Sequence, residues 1–130
     1  MIRWLRPRDV RYMHQQLILK FGGLDGLWDA GLLESALARP QQLHAYKQED
    51  DLCRHAGAYG YGLRRNHPFL DGNKRVALMV MYTFLQVNGL QLHAPEVDAF
   101  MTLTRLASGS MSETELVKWL RRNSSPQAER

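Results

Sequence analysis

Between Pro7 and Phe21 the apolar residues Val10, Met13, Leu17 and Phe21 return every three or four positions, which predicts one stripe of an amphipathic helix. Pro7 suits the first turn, because the N–H it lacks would have no partner there. Three glycines within residues 22–26 then require a turn. Asp29 is placed to cap a short second helix whose inner face carries Leu32, Leu33, Ala36 and Leu37, and Pro40 is expected to stop it. Residues 40–50 read as an exposed connection with a short extended piece at His44–Lys47. A third helix, capped by Asp50 or Asp51, runs towards Asn66 with Leu52, Ala56, Tyr59 and Leu63 inward.

The pattern changes at Val76–Val87, where apolar residues lie on nearly every side. Such a helix is surrounded by others rather than lying on a surface. Asn88-Gly89 ends it, Pro95 opens a fifth helix that Gly109 closes, and Ser112 with Glu115 has capping-box spacing for a sixth through Trp119 and Leu120. Asn123–Arg130 reads as a frayed tail. No convincing alternating strand appears. The expectation is an all-α fold, a compact bundle of about six helices around a buried central one. It forms a single domain over residues 1–130, with its core at about 8–122.

Composition narrows this picture little. Hydrophobic residues make up 45% and charged residues 23% of 130 residues, the balance of an ordinary soluble domain. Cys53 is the only cysteine, so no intrachain disulfide can form and a reducing compartment is expected. The run Val76–Leu85 is too short to span a bilayer, and the first residues hold no stretch suited to a signal peptide, so a cytoplasmic protein with no membrane contact is expected. The net charge of +4 favours an acidic or phosphate-bearing partner without choosing one. Residues 1–20 carry five Lys or Arg against Asp9 alone, a run that reads as an exposed helix face, and no direct DNA binding is expected.

Chemistry concentrates at "HPFLDGNKR", residues 67–75, at the mouth of the apolar helix. A helix start exposes main-chain N–H groups and partial positive charge. Gly72 lets backbone approach a ligand closely, and Lys74 and Arg75 add two cations, so the segment from Gly72 and Asn73 to Arg75 makes an anion site suited to phosphate. Asp71 would repel a phosphate unless a Mg²⁺ ion lay between them, which makes it the candidate metal carboxylate. The His67 imidazole can take a proton from an incoming hydroxyl. Phe69 is expected to anchor the loop in the core. The blander reading is a tight Asp-Gly turn with a solvated first helical turn and a structural histidine. Five polar groups of complementary chemistry at one end of a buried helix argue against it. GxxxxGK(S/T) is absent, which excludes a P-loop.

"HPFLDGNKR" resembles the motif of the Fic/Doc superfamily, HxFx(D/E)GNxR, at nine consecutive positions. "FGGLDGLWDAGLLESALARPQ" and "YGYGLRRNHPF" are similar to the Doc, or death-on-curing, branch. Fic enzymes that transfer AMP usually have glycine where this chain has Lys74, and a second arginine where it has Leu78. The resemblance to Doc implies an inverted nucleotide, with ATP or another nucleoside triphosphate as phosphate donor and Mg²⁺ as cofactor. It implies transfer of the terminal phosphoryl group to a Thr or Ser hydroxyl of a protein, elongation factor Tu being the family's target, with arrest of growth. His67, Asp71 and Lys74 are then catalytic, and Gly72, Asn73, Lys74 and Arg75 hold phosphates. Arg65 either adds a contact or is a solvated helix end. The self-inhibitory pattern (S/T)xxxE(G/N) is absent, which implies restraint by a separate Phd-like antitoxin. The resemblance implies that Gln41–Asp50 forms a flap, a short hairpin that aligns the target segment in extended form. Alternatives are AMP transfer, a ribonuclease built on His67, Lys74 and Arg75, and a non-catalytic nucleotide-binding module.

Overall fold

A computed structural model of the chain describes residues 1–128; Glu129 and Arg130, the end of the expected tail, lie outside them. The fold is all-α. Among the described residues six helices, α1 (Pro7–Phe21), α2 (Ala30–Lys47), α3 (Leu52–Asn66), α4 (Asn73–Val87), α5 (Glu96–Ser108) and α6 (Glu113–Arg122), are joined by one antiparallel strand pair, β1 (Leu90–Leu92) with β2 (Ser124–Pro126). No helix among the described residues is long and apolar enough to cross a membrane.

The helix ends follow local chemistry. The Asp29 carboxylate accepts the Leu32 N–H at 3.0 Å and Asp51 accepts the Cys53 N–H at 2.9 Å, capping α2 and α3. Ser112 and Glu115 exchange hydrogen bonds of 3.1 and 3.0 Å at the start of α6.

The core differs from the expectation in its centre. α3 buries nine of its fifteen residues and α4 seven, and Met79 and Val87 of α4 reach solvent. The hub is therefore α3, which packs against α2, α4 and α6. Its small residues make this possible: a Cβ on Gly57 would lie 2.5 Å from Val117 Cγ2, and one on Gly60 would collide with the Met81 sulfur. Tyr59 and Phe84 fill the seam between α3 and α4, each fully buried and each contributing about 2–3 kcal/mol. Burial pushes the Tyr59 phenol up to about 12, so it stays a neutral hydroxyl and accepts the Leu5 N–H.

Three other expectations are corrected. Pro40 does not stop α2, which runs on to Lys47, so the extended piece and flap expected within residues 41–50 are replaced by two further helical turns. An interior proline costs a helix about 3 kcal/mol. Here Pro40 is buried, and His44, one turn later, meets the Trp4 ring and bonds the Glu49 carbonyl at 2.9 Å, contacts that offset the cost. Residues 124–126 are not frayed: they pair with 90–92, and the Gln127 N–H donates to the Gly89 carbonyl. Phe21 leaves the inner stripe for the surface, and its place is taken by His14, 2% exposed.

Candidate active site

α3 ends at His67, whose backbone adopts the left-handed conformation (φ 49°, ψ 57°) while its N–H donates to the Leu63 carbonyl. A non-glycine residue is strained there, and the surrounding loop must hold it. The loop is fastened by an antiparallel pairing with residues 26–29: the Trp28 and Asp29 N–H groups donate to the Pro68 carbonyl, and the Leu70 N–H to that of Gly26. Phe69 is buried, as expected.

Asn73 ties this loop to α4. Its Oδ1 accepts the Phe69 N–H at 3.1 Å and its Nδ2 donates to the Phe69 carbonyl at 2.9 Å, which fixes the orientation of the amide. The same Nδ2 then donates to His67 Nδ1 at 3.1 Å. Nδ1 is thus an acceptor, and the neutral imidazole carries its proton on Nε2. The imidazole is exposed.

Asp71 is the second fixed group. Its Oδ2 accepts the Leu24 N–H at 3.2 Å and its Oδ1 the Gly72 N–H at 2.8 Å. These main-chain donors, with Arg75 and His14 adding smaller attractions, hold its carboxyl below the ordinary 3.8, and it is ionised at neutral pH. Gly23 is required for this approach, since a Cβ there would stand 2.7 Å from Oδ2. Gly72 opens α4 at φ 74° without a side-chain cap, so the Asn73, Lys74 and Arg75 N–H groups keep the free valences of a helix start. The Gly72 amide itself donates to Asp71.

His67, Asp71, Gly72, Asn73, Lys74 and Arg75 line one cleft of about 350 Å³, completed by Leu70 and by Phe100, Leu103 and Thr104 from α5. A recess of about 50 Å³ opens beside it, between Arg64, Lys74 and Leu106. Lys74 and Arg75 are exposed, and the Arg75 guanidinium lies 4.6 Å above the Phe21 ring. The Asn73 side chain is turned to the loop rather than to the cleft's contents, which leaves its backbone N–H as the group available to a ligand. Arg65 lines neither space. Arg64 does, because neighbouring residues on a helix point about 100° apart.

Arg64 and His14 were both missed in the sequence. His14 had a signal, since it follows Val10 by four positions and precedes Leu17 by three, on the inward face. Arg64 had none beyond its closeness to His67.

Among the described residues no three His, Cys, Asp or Glu side chains gather as a metal-binding cluster. A single ionised, exposed carboxylate with lone pairs beyond its two main-chain bonds nevertheless fits Mg²⁺, which takes one or two carboxylates and completes its shell with phosphates and water.

This small helical fold presents the HxFx(D/E)GNxR pattern as a histidine on a braced loop with an uncapped helix start beyond it. The chain belongs to the Fic/DOC family, whose model matches residues 4–85, among its Doc-type members. It is 34% identical over 122 residues to "Protein kinase doc" of Escherichia phage P1, covering 93% of this chain and 95% of that protein. It is 43% identical over 77 residues to "Toxin Doc" of Mycolicibacterium smegmatis, covering 58% and 59%.

Proposed function

We propose that this chain is a Doc-type toxin that moves the terminal phosphoryl group of a nucleoside triphosphate, ATP in the first instance, to a Ser or Thr hydroxyl of a protein. The observation that carries this reading is the convergence, in one cleft, of the His67 imidazole, an ionised Asp71 and the open start of α4 flanked by Lys74 and Arg75. The name of the phage relative points the same way. So do Lys74 and Leu78, which stand where AMP-transferring Fic enzymes usually have glycine and a second arginine.

Phosphoryl transfer asks for alignment and charge neutralisation more than covalent help. The Asn73, Lys74 and Arg75 N–H groups and the two side-chain cations donate hydrogen bonds to the phosphate oxygens. Asp71 would hold Mg²⁺, which would supply further neutralisation of the triphosphate. The substrate oxygen forms a bond to the terminal phosphorus as the bridge to the neighbouring phosphate breaks, and a nucleoside diphosphate leaves. His67 takes the hydroxyl proton. Its free lone pair is on Nδ1, where the Asn73 amide now sits at 3.1 Å, so the incoming hydroxyl exchanges with that amide as it arrives.

Elongation factor Tu is the proposed target and a Phd-like antitoxin the proposed restraint. The test is incubation of chain, elongation factor Tu and Mg²⁺ with ATP labelled at the γ or the α phosphate. The γ label is expected on the target. Transfer of the α label would replace this reading by AMP transfer, and ATP binding without label on any protein would leave a non-catalytic module.

A further inference from the structure

α1 places one polar side chain on its buried stripe. His14 is 2% exposed, and its ring lies parallel to that of Phe69, with centroids 3.9 Å apart and planes within 9°. Its Nε2 is 2.7 Å from the Asp71 carbonyl oxygen. A carbonyl only accepts, so Nε2 bears the proton and donates. Nδ1 faces the exposed Asp25 carboxylate at 4.0 Å, too far for a hydrogen bond.

We propose that His14 is a positioning residue for this site: its Nε2–H bond and its stack on Phe69 set where the Asp71 main chain lies, and through it the Asp71 carboxylate and the first turn of α4. The backbone of Pro68 and Leu70 is held by residues 26–29, and that of Phe69 by Asn73. Past Leu70 the pairing with 26–29 stops, and the His14 imidazole is the partner of the next carbonyl. An imidazole buried without a hydrogen bond would be costly, and this bond is the reason the stripe tolerates it. The residue so held carries both the carboxylate and the peptide leading into Gly72, where a misplacement of about 1 Å costs on the order of a hundredfold in rate.

Only the catalytic part of the test rests on the phosphotransfer reading. In the unaltered full-length chain, ¹⁵N signals of the His14 ring are expected to show a proton on Nε2. An Nε2 without a proton would overturn the proposal whether or not any variant folds. His14→Phe keeps the stack and loses the donor, while His14→Gln keeps an N–H. In H14F the Leu24 and Gly72 amides, which donate to the Asp71 carboxylate, should exchange about tenfold faster while α3 and α6 stay protected. The kcat for transfer should fall at least tenfold with KM for ATP little changed. H14Q should recover most of both. An H14F chain with wild-type exchange and kcat, or an H14Q chain no better than H14F, would sink the idea. If the unaltered chain transfers nothing, the proposed function falls alone, and the ring and amide signals still decide the role of His14.

Discussion

The two ends of α3 handle charge in opposite ways. At its start Asp51 pairs with Arg121, and Glu113 receives both Arg39 and Arg54, so α2, α3 and α6 are clasped by charges that satisfy one another. Burial pulls the Asp51 carboxyl up, but the Arg121 guanidinium and the Cys53 N–H together bring it below its usual value. At the other end Arg64, and across the loop Lys74 and Arg75, have no carboxylate within ion-pair distance among the described residues. The carboxylate in that region, Asp71, is held by main-chain N–H groups instead. Charges that hold the fold are spent on each other, whereas those at the cleft are left for something that is not part of the chain.

The contrast can be broken most decisively at His67. Replacement by Ala removes an exposed imidazole and should reduce transfer by about 10²–10⁴-fold, with the thermal midpoint unchanged. Undiminished γ-label transfer would withdraw the base role. Glu113→Gln should do the converse. It unpairs two half-buried arginines and should cost about 2 kcal/mol in a urea titration, while transfer per folded molecule stays as it was. A loss of kcat in E113Q without loss of stability would erase the distinction between the ends. The smallest effect separates two neighbours. Arg64→Ala should weaken ATP binding about three- to fivefold, read by calorimetry, and Arg65→Ala should leave it unaltered. Equal effects would return Arg65 to the site.

What the sequence disclosed follows from the range of the forces concerned. The caps at Asp29, Asp51 and Ser112, the Gly109 terminus and the cleft cluster from His67 to Arg75 are all settled within a few residues, and each is where local chemistry puts it. Pro40 obeyed the packing of its neighbours rather than its own preference for ending a helix. Ser124–Pro126 became a strand only because Leu90–Leu92, some thirty residues earlier, offers an edge. The engagement of the Gly72 amide by Asp71 depends on Leu24 and Gly23 arriving from the α1–α2 connection, which no local pattern encodes. The same holds for the choice of Arg64 over Arg65, which is a matter of which way the last turn of α3 faces.

Gly23 lies forty-eight positions before Asp71, outside the nine-residue motif HPFLDGNKR. One methyl group there would push the acidic side chain off its perch and strain a backbone already at φ 115°, while every letter of HPFLDGNKR stayed in place. A silenced copy of this kind would still look armed to a motif search, and could persist in a genome as an apparent weapon that no longer fires.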